Sequence, residues 1–411
     1  MNRVVVTGLG AVTPLGNDAP STWAGLAAGR NGVGPLTSFD ARSFEVRIAG
    51  HVRDFAAPEG VPGRHLSRAA SFVVAAAQEA VQDAGDGVMD GDAYRCGVAL
   101  GGTVGRPELQ EAVDMAYRLV RSRGADIPRQ SPRDVLLRSQ NVALSWVARL
   151  AGAAGPMISV STACAGSAHA VGEAYRRIQE GDADVMLAGG FDALTTWMDV
   201  LGFSLLGALT TEHNNEPEAA CRPFDATRTG FVLGEGAAVV VLEEREAALA
   251  RGAEIKAELA GYGSTLNAYR ITDSPPDGGG AITAMRDAIA DAGLDPRDID
   301  YIAAHGTGTP GNDASETAAI KALFGAYAHE LSISSPKSMT GHLTSAAGGV
   351  NLIAAIGALR EQLVPPTVNL RHPDPELDLD YTPNEARARR VRATLVNAFA
   401  FGGTNACLVL R

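Results

Sequence analysis

Val160-Ser161-Thr162-Ala163-Cys164-Ala165-Gly166-Ser167-Ala168 is the stretch on which the reading of this chain turns. A strand-like run ends in small residues and a cysteine, and helical periodicity over Ala170–Glu180 follows at once. Pro156–Glu180 therefore reads as strand, tight turn and helix, with a thiol at the helix N-terminus. Unpaired N–H groups and the positive end of the helix dipole are expected there to lower the thiol pKa and favour thiolate. The small neighbours leave room above the sulfur. Taken alone, the same cysteine also fits an inert buried thiol.

Working outward, a second segment has the same plan. Leu331–Glu361 runs strand, then Ser335-Pro336-Lys337, then Thr340-Gly341-His342, then another small-residue helix start, Thr344-Ser345-Ala346-Ala347-Gly348-Gly349. Each segment places a reactive side chain where a strand hands over to a buried helix. The repetition predicts two similar halves facing one another, 1–250 with the cysteine and 251–411 with the histidines, and a junction near Glu243–Glu254. Buried strands are expected at Val4–Thr7, Cys96–Leu100, Ile158–Ser161, Val185–Ala188 and Ala237–Leu242. More are expected at Tyr301–Ala304, Ser332–Ser334, Thr394–Val396 and Ala406–Leu410. Amphipathic stretches such as Ala69–Ala84, Ala281–Ala292 and Val350–Gln362 alternate with them, which defines an α/β protein.

Composition sets the outer limits. The 411 residues are 46% hydrophobic and 20% charged, a globular balance with length enough for two domains or two halves of one fold. A formal net charge of −12 speaks against non-specific nucleic-acid binding, which needs a basic footprint. No apolar run approaches the roughly 20 residues of a spanning helix. The cysteines, Cys96, Cys164, Cys221 and Cys407, lie far apart without CxxC grouping, as expected of free thiols in a cytoplasmic protein.

Three further segments could carry chemistry. His305 follows a predicted strand and opens His305-Gly306-Thr307-Gly308-Thr309, so its ring can enter a cleft beside hydroxyls and N–H groups suited to a polar ligand. Lys337 and His342 stand five residues apart at a strand-to-helix corner, suited to acid–base or electrostatic work. Asn397-Ala398-Phe399-Ala400-Phe401-Gly402-Gly403 is a turn between two strand-like runs whose N–H groups could hold an oxyanion. Read singly, each also fits an ordinary loop histidine, a solvated lysine or a plain tight turn. Other features lead nowhere. Gly8-Leu9-Gly10 follows a strand, but Thr13-Pro14 replaces the third glycine of a dinucleotide turn. Metal-ligand spacing is absent, and no Gly-x-Ser-x-Gly elbow surrounds a serine. Glu243-Glu244-Arg245-Glu246 reads as a solvated helix face.

Together these segments resemble the β-ketoacyl-acyl carrier protein synthases of the thiolase superfamily, in particular the elongating ketosynthases and their type II polyketide relatives. The resemblance runs from Val4–Gly16 to Phe401–Leu410. It takes in Arg222-Pro223-Phe224-Asp225, Arg228-Thr229-Gly230-Phe231-Val232-Leu233-Gly234-Glu235-Gly236 and Ala188-Gly189-Gly190. It implies a five-layered αβαβα fold of two related halves, and a dimer, either of two copies or with a chain-length-factor-like subunit. It implies that Cys164 carries the acyl chain. His305 and His342 would stabilise a malonyl-derived enolate, and the N–H groups of Cys164 and Phe401 would hold the oxyanion. Lys337 and Glu316 would form a supporting ion pair. Thr307 and Thr309 would bind the phosphopantetheine arm delivered by an acyl carrier protein, with no metal or redox cofactor. Two histidines, rather than His and Asn, imply a malonyl-carrier elongating enzyme. The retained cysteine separates the chain from non-condensing partner subunits, and the histidine pair from coenzyme A-dependent thiolases. Departures from the family pattern are Ala400 for a gate glycine, Glu212 for a basic residue, Asn267 and Arg270 in a loop, and charge in Ser131–Ser139. They point to a specialised pathway.

Overall fold

The computed structural model describes residues 1–63, 66–103, 109–125, 136–137 and 139–411. Its ten-stranded sheet is built from β1 (Val4–Val12), β2 (Cys96–Gly102), β3 (Met157–Val160), β4 (Val185–Ala193) and β5 (Glu235–Glu244) in one half. The other half has β6 (Ala257–Leu266), β7 (Tyr301–Ala303), β8 (Ser332–Ser334), β9 (Thr394–Phe399) and β10 (Thr404–Leu410). Counted from the middle, the first order is β1-β5-β4-β2-β3 and the second β6-β10-β9-β7-β8. Each half thus runs first, fifth, fourth, second, third. In each, the two inner pairings are antiparallel and the two outer ones parallel. A short antiparallel seam, Val4–Val6 against Ala257–Leu259, joins them. The helix Arg245–Ala250 makes the chain connection.

Six helices complete the layers. α1 (Arg68–Ala84) and α2 (Gln140–Ala151) cover the outer face of the first half. α3 (Gly166–Gln179) and α6 (Ala347–Glu361) lie between the two halves, and α4 (Gly279–Asp291) and α5 (Pro310–Phe324) cover the far face. This is the five-layered αβαβα arrangement. α6 is buried along almost its whole length, which is why Val350–Ala358 is apolar on every side except at Asn351, whose amide donates to the carbonyls of Ala304 and Asn397.

Glycine sets how closely the layers meet. β1 runs on past Thr7 because Gly8 and Gly10 remain extended. A Cβ there would lie 2.0 Å from the carbonyl oxygen of Ala80 and 1.8 Å from that of Ala76, both on α1. The Gly-Leu-Gly sequence is thus a helix-packing device. β6, absent from the expected strands, uses the same device. Gly261 and Gly263 would each bring a Cβ to 2.1 Å from a carbonyl oxygen of α4, those of Ala288 and Ala284.

The acidic run is a second correction. Glu243 ends β5 and is buried, accepting hydrogen bonds from Thr7 and Arg251, while Glu244 caps the following helix through the N–H of Ala247. A strand end, not a solvated helix face, occupies its first position. The charged stretch Ser131–Ser139 falls largely outside the described residues. Among those described, no helix is long and apolar enough to cross a membrane.

Candidate active site

Two turns carry the reactive side chains, and they are copies of one another. Ala163–Ala165 and Thr344–Ala346 are 3₁₀ turns that lead into α3 and α6, and each begins with a left-handed residue, Ala163 at φ +45° and Thr344 at φ +47°. Cys164 is second in the first turn and Ser345 second in the other. The hydroxyl of Ser345 donates to the carbonyl of Ala163 at 3.0 Å, bracing the nucleophile's turn. Both turns rest on a sheet edge stripped of side chains. A Cβ on Gly101 would lie 2.2 Å from the carbonyl carbon of Gly166, and one on Gly190 would lie 2.5 Å from the carbonyl oxygen of Ser345.

Cys164, His305, His342, Thr307, Thr309 and Phe401 line one cavity of about 230 Å³. Cys164 is buried, and burial pushes its thiol up to about 11. The Lys337 ammonium and the N–H groups of Phe401 and Cys164 itself pull the other way. The expected fall in pKa is therefore overturned, because desolvation of a thiolate here outweighs the favourable dipoles. The resting nucleophile is a neutral thiol with two N–H groups in reach of its sulfur, which can receive the oxygen of an acyl group attached there.

The histidines are neutral as well. Burial, then the nearby Lys337 charge, holds both far below the ordinary imidazole range, and for His305 the neighbouring His342 adds to this. Their rings meet edge to face with centroids 5.5 Å apart. Nδ1 of His342 accepts the N–H of Thr344 at 3.1 Å, so the single ring proton sits on Nε2. Nδ1 of His305 faces the Lys337 ammonium at 3.5 Å, which favours the same tautomer. Two imidazoles thus offer Nε2–H donors to one cavity.

Lys337 and Glu316 hold the His305 backbone from opposite sides. Lys337 donates to its carbonyl at 2.6 Å, while Glu316 accepts its N–H at 2.9 Å and that of Gly306 at 2.8 Å. Among the described ion pairs these two residues are not joined directly. The expected ion pair is replaced by a shared grip on the peptide of His305, with a field that keeps Lys337 charged. Burial pulls Lys337 down to about 8, and Glu316 is the first group that opposes it. Burial raises Glu316, against the donors Gly306, Asn397 and His305.

Thr307 and Thr309 bond to each other, Oγ1 to Oγ1, at 2.9 Å along the cavity wall. The N–H of Thr307 does not face a ligand, because Asp313 accepts it at 3.0 Å. Sequence reasoning missed Asp313, which also accepts the N–H groups of Gly308 and Phe224. The signal was present: Asp313 and Glu316 stand three apart at the start of α5 and share a face turned to the His305–Gly308 backbone. It also missed Asp192, buried at the end of β4, whose carboxylate holds Thr103, Thr344 and Ser345. The Phe401 turn is a tight one between β9 and β10, with Gly402 and Gly403 both left-handed. Gly402 donates to the carbonyl of Ile271 and Gly403 accepts from Asn267, so the turn is clipped to the loop after β6.

Comparison with known proteins places the fold in a family. The family models described as Beta-ketoacyl synthase, N-terminal domain, and Beta-ketoacyl synthase, C-terminal domain, match residues 1–248 and 256–371. A 3-oxoacyl-[acyl-carrier-protein] synthase 2 of Synechocystis sp. is 43% identical, covering 100% of this chain and 98% of its own. One of Coxiella burnetii is 43% identical over 99% and 98%. Among solved structures, the ishigamide ketosynthase/chain length factor superposes with a TM-score of 0.90 at 36% identity, over 100% of this chain and 98% of its own. A type II PKS acyl-carrier protein in complex with its ketosynthase gives 0.89 at 35% identity, over 100% and 99%. The fold is that of the thiolase-fold acyltransferases. The chain belongs to the β-ketoacyl synthase family.

Proposed function

We propose that the chain extends an acyl group by decarboxylative condensation with malonyl-acyl carrier protein. The observation that carries this reading is the meeting, in one cavity, of a thiol flanked by two N–H groups with two neutral histidines whose Nε2–H groups point to the same space. In the first half-reaction the Cys164 sulfur attacks the acyl thioester, the carrier's C–S bond breaks, and the thiol proton leaves with the carrier sulfur. In the second, the C–CO₂ bond of the malonyl group breaks and carbon dioxide departs. Its electron pair becomes an enolate whose oxygen accepts from His305 and His342. The enolate carbon then bonds to the acyl carbonyl, while the N–H groups of Cys164 and Phe401 hold that oxygen, and the Cys164 C–S bond breaks. Such preorganised donors contribute a few kcal/mol apiece, about 3 for one N–H. Lys337 and Glu316 hold His305, and Thr307 and Thr309 receive the phosphopantetheine arm. The chemistry uses no metal or redox cofactor.

The wider assignments follow the same reading. Residues 1–250 and 251–411 are two related halves, in support of which stand the repeated strand order and the paired turns. The protein works as a cytoplasmic dimer, with a second copy or a chain-length-factor-like subunit. β3 supports this: it is a sheet edge with one unpaired side, Met157 is half-exposed, and Val113, Tyr117 and Val120 are exposed on the helix Leu109–Arg121. Glu212, exposed where a basic residue would favour an acidic carrier, supports a specialised type II polyketide pathway.

Intact-mass measurement tests the proposal. Wild type given acyl-carrier protein should gain the acyl mass, Cys164→Ala should not, and malonyl-carrier protein should then release a product two carbons longer. Acylation that persists in Cys164→Ala would sink the assignment of the nucleophile. The range of acyl lengths accepted separates a fatty-acid role from a specialised one.

A further inference from the structure

We propose that Asp192 is a positioning residue for His342, acting through Thr344 to fix the ring proton that the decarboxylation step needs. The inference rests on the condensing reading above. Asp192 is the penultimate residue of β4 and is 2% exposed, yet it belongs to neither reactive turn. One carboxylate oxygen accepts three hydrogen bonds: from the hydroxyl of Thr344 at 2.5 Å, the N–H of Ser345 at 2.8 Å and the hydroxyl of Thr103 at 3.0 Å. The other accepts the N–H of Thr103 at 3.1 Å. A buried carboxylate this fully satisfied is a fixed point in the structure.

What it fixes is a strained residue. Thr344 is β-branched and left-handed at φ +47°, a conformation such a side chain avoids unless its surroundings impose it. Asp192 supplies two of those constraints, by holding the Thr344 hydroxyl and the next N–H. In this conformation the N–H of Thr344 points at Nδ1 of His342 and leaves the ring proton on Nε2. The bare edge at Gly190 lets the turn come close enough to the end of β4 for these bonds to form. If Asp192 lets go, Thr344 can relax, Nδ1 of His342 loses its donor, and the proton is free to move to the wrong nitrogen. Cys164 lies in the other turn, which Asp192 reaches only at one remove, through the N–H of Ser345 whose hydroxyl braces Ala163. Acyl transfer to sulfur should therefore suffer much less than decarboxylation.

The test compares Asp192→Asn, Thr344→Val and Thr344→Ser with wild type in full-length protein. Acylation of Cys164 is read by intact mass, carbon dioxide release from malonyl-carrier protein by rate, and the His342 tautomer by ¹⁵N spectra of histidine-labelled protein. Asp192→Asn and Thr344→Val should lose about a hundredfold in decarboxylation at near-normal acylation. They should also show His342 with a mixed tautomer, while Thr344→Ser should restore both readouts. Should Asp192→Asn fail to fold, Thr344→Val decides alone, since it removes one hydroxyl at nearly constant shape. Full decarboxylation by the folded variants, with His342 still protonated only at Nε2, overturns the inference and leaves the condensing reading standing. Wild type that neither acylates at Cys164 nor releases carbon dioxide overturns both.

Discussion

At the scale of single residues, Lys337 is the group beside the reactive histidines whose charge changes within an accessible pH range. Burial brings it down to about 8, so it is charged below that pH and neutral above. Its charge strengthens the donor that faces Nδ1 of His305, since a charge-assisted hydrogen bond is stronger than that of a neutral amine. Decarboxylation rate at saturating substrate should fall as pH rises through about 8, and Lys337→Met should flatten that alkaline limb while lowering the rate at pH 7. Stability should move the opposite way. An unfolded lysine keeps its proton to about 10.4, so between about 8 and 10.4 the unfolded chain binds more protons and the fold gains with rising pH. Melting temperatures that hold steady or rise while the rate falls would confirm a charge effect, and a flat wild-type rate from pH 7 to 9.5 would refute it. The same burial explains why Cys164 reads differently in sequence and in structure. A helix N-terminus is visible in Thr162-Ala163-Cys164, but desolvation comes from distant segments that close over it.

Helix and strand behave as units where glycine sets their spacing. Gly10→Ala would drive a methyl group into the Ala76 carbonyl of α1 and should cost about 3 kcal/mol. Gly263→Ala should cost a similar amount at α4, whereas Gly91→Ala, which meets nothing within 4 Å, should be close to neutral. Chemical denaturation of the three variants measures this, and equal midpoints would defeat it. Most elements were legible because their apolar runs are uninterrupted, as in Val185–Ala188 and Ala237–Leu242. β6 was not, since Glu258, Gly261, Gly263 and Ser264 break its pattern. Its Gly-Tyr-Gly, matching Gly-Leu-Gly in β1, was nevertheless a readable sign of duplication. Of the site, Cys164 and His305 could be picked out because each closely follows a strand, and His342 because it stands just before a small-residue helix start. Asp313 left a readable sign in its spacing from Glu316, whereas Asp192 could not be weighed, because its role depends on hydroxyl and N–H groups gathered from other segments.

Across the whole molecule, the sheet ends at β3, an edge that pairs on one side among the described residues. β3 is four residues long, with Met157 51% exposed, and among the described residues pairs with β2 alone. Met157→Lys should shift the protein from dimer to monomer in light scattering after size exclusion, and a wild type that already runs as a single chain would remove the basis for the dimer. The described part of the helix Leu109–Arg121 leaves Tyr117 and Val120 exposed, so Val120→Glu should push in the same direction.

The side-chain-free sheet edge beneath the two reactive turns also bears on how such a protein can diversify. With main chain lying on main chain at Gly101 and Gly190, how closely the two turns approach the sheet is set there by backbone rather than by side chains. Apart from the side-chain bonds of Asp192 and Ser345, apolar substitutions elsewhere in the interior then leave that approach alone. Novelty in substrate is left to the cavity's outer rim, where Leu206 and Thr272 can change without disturbing the reacting pair.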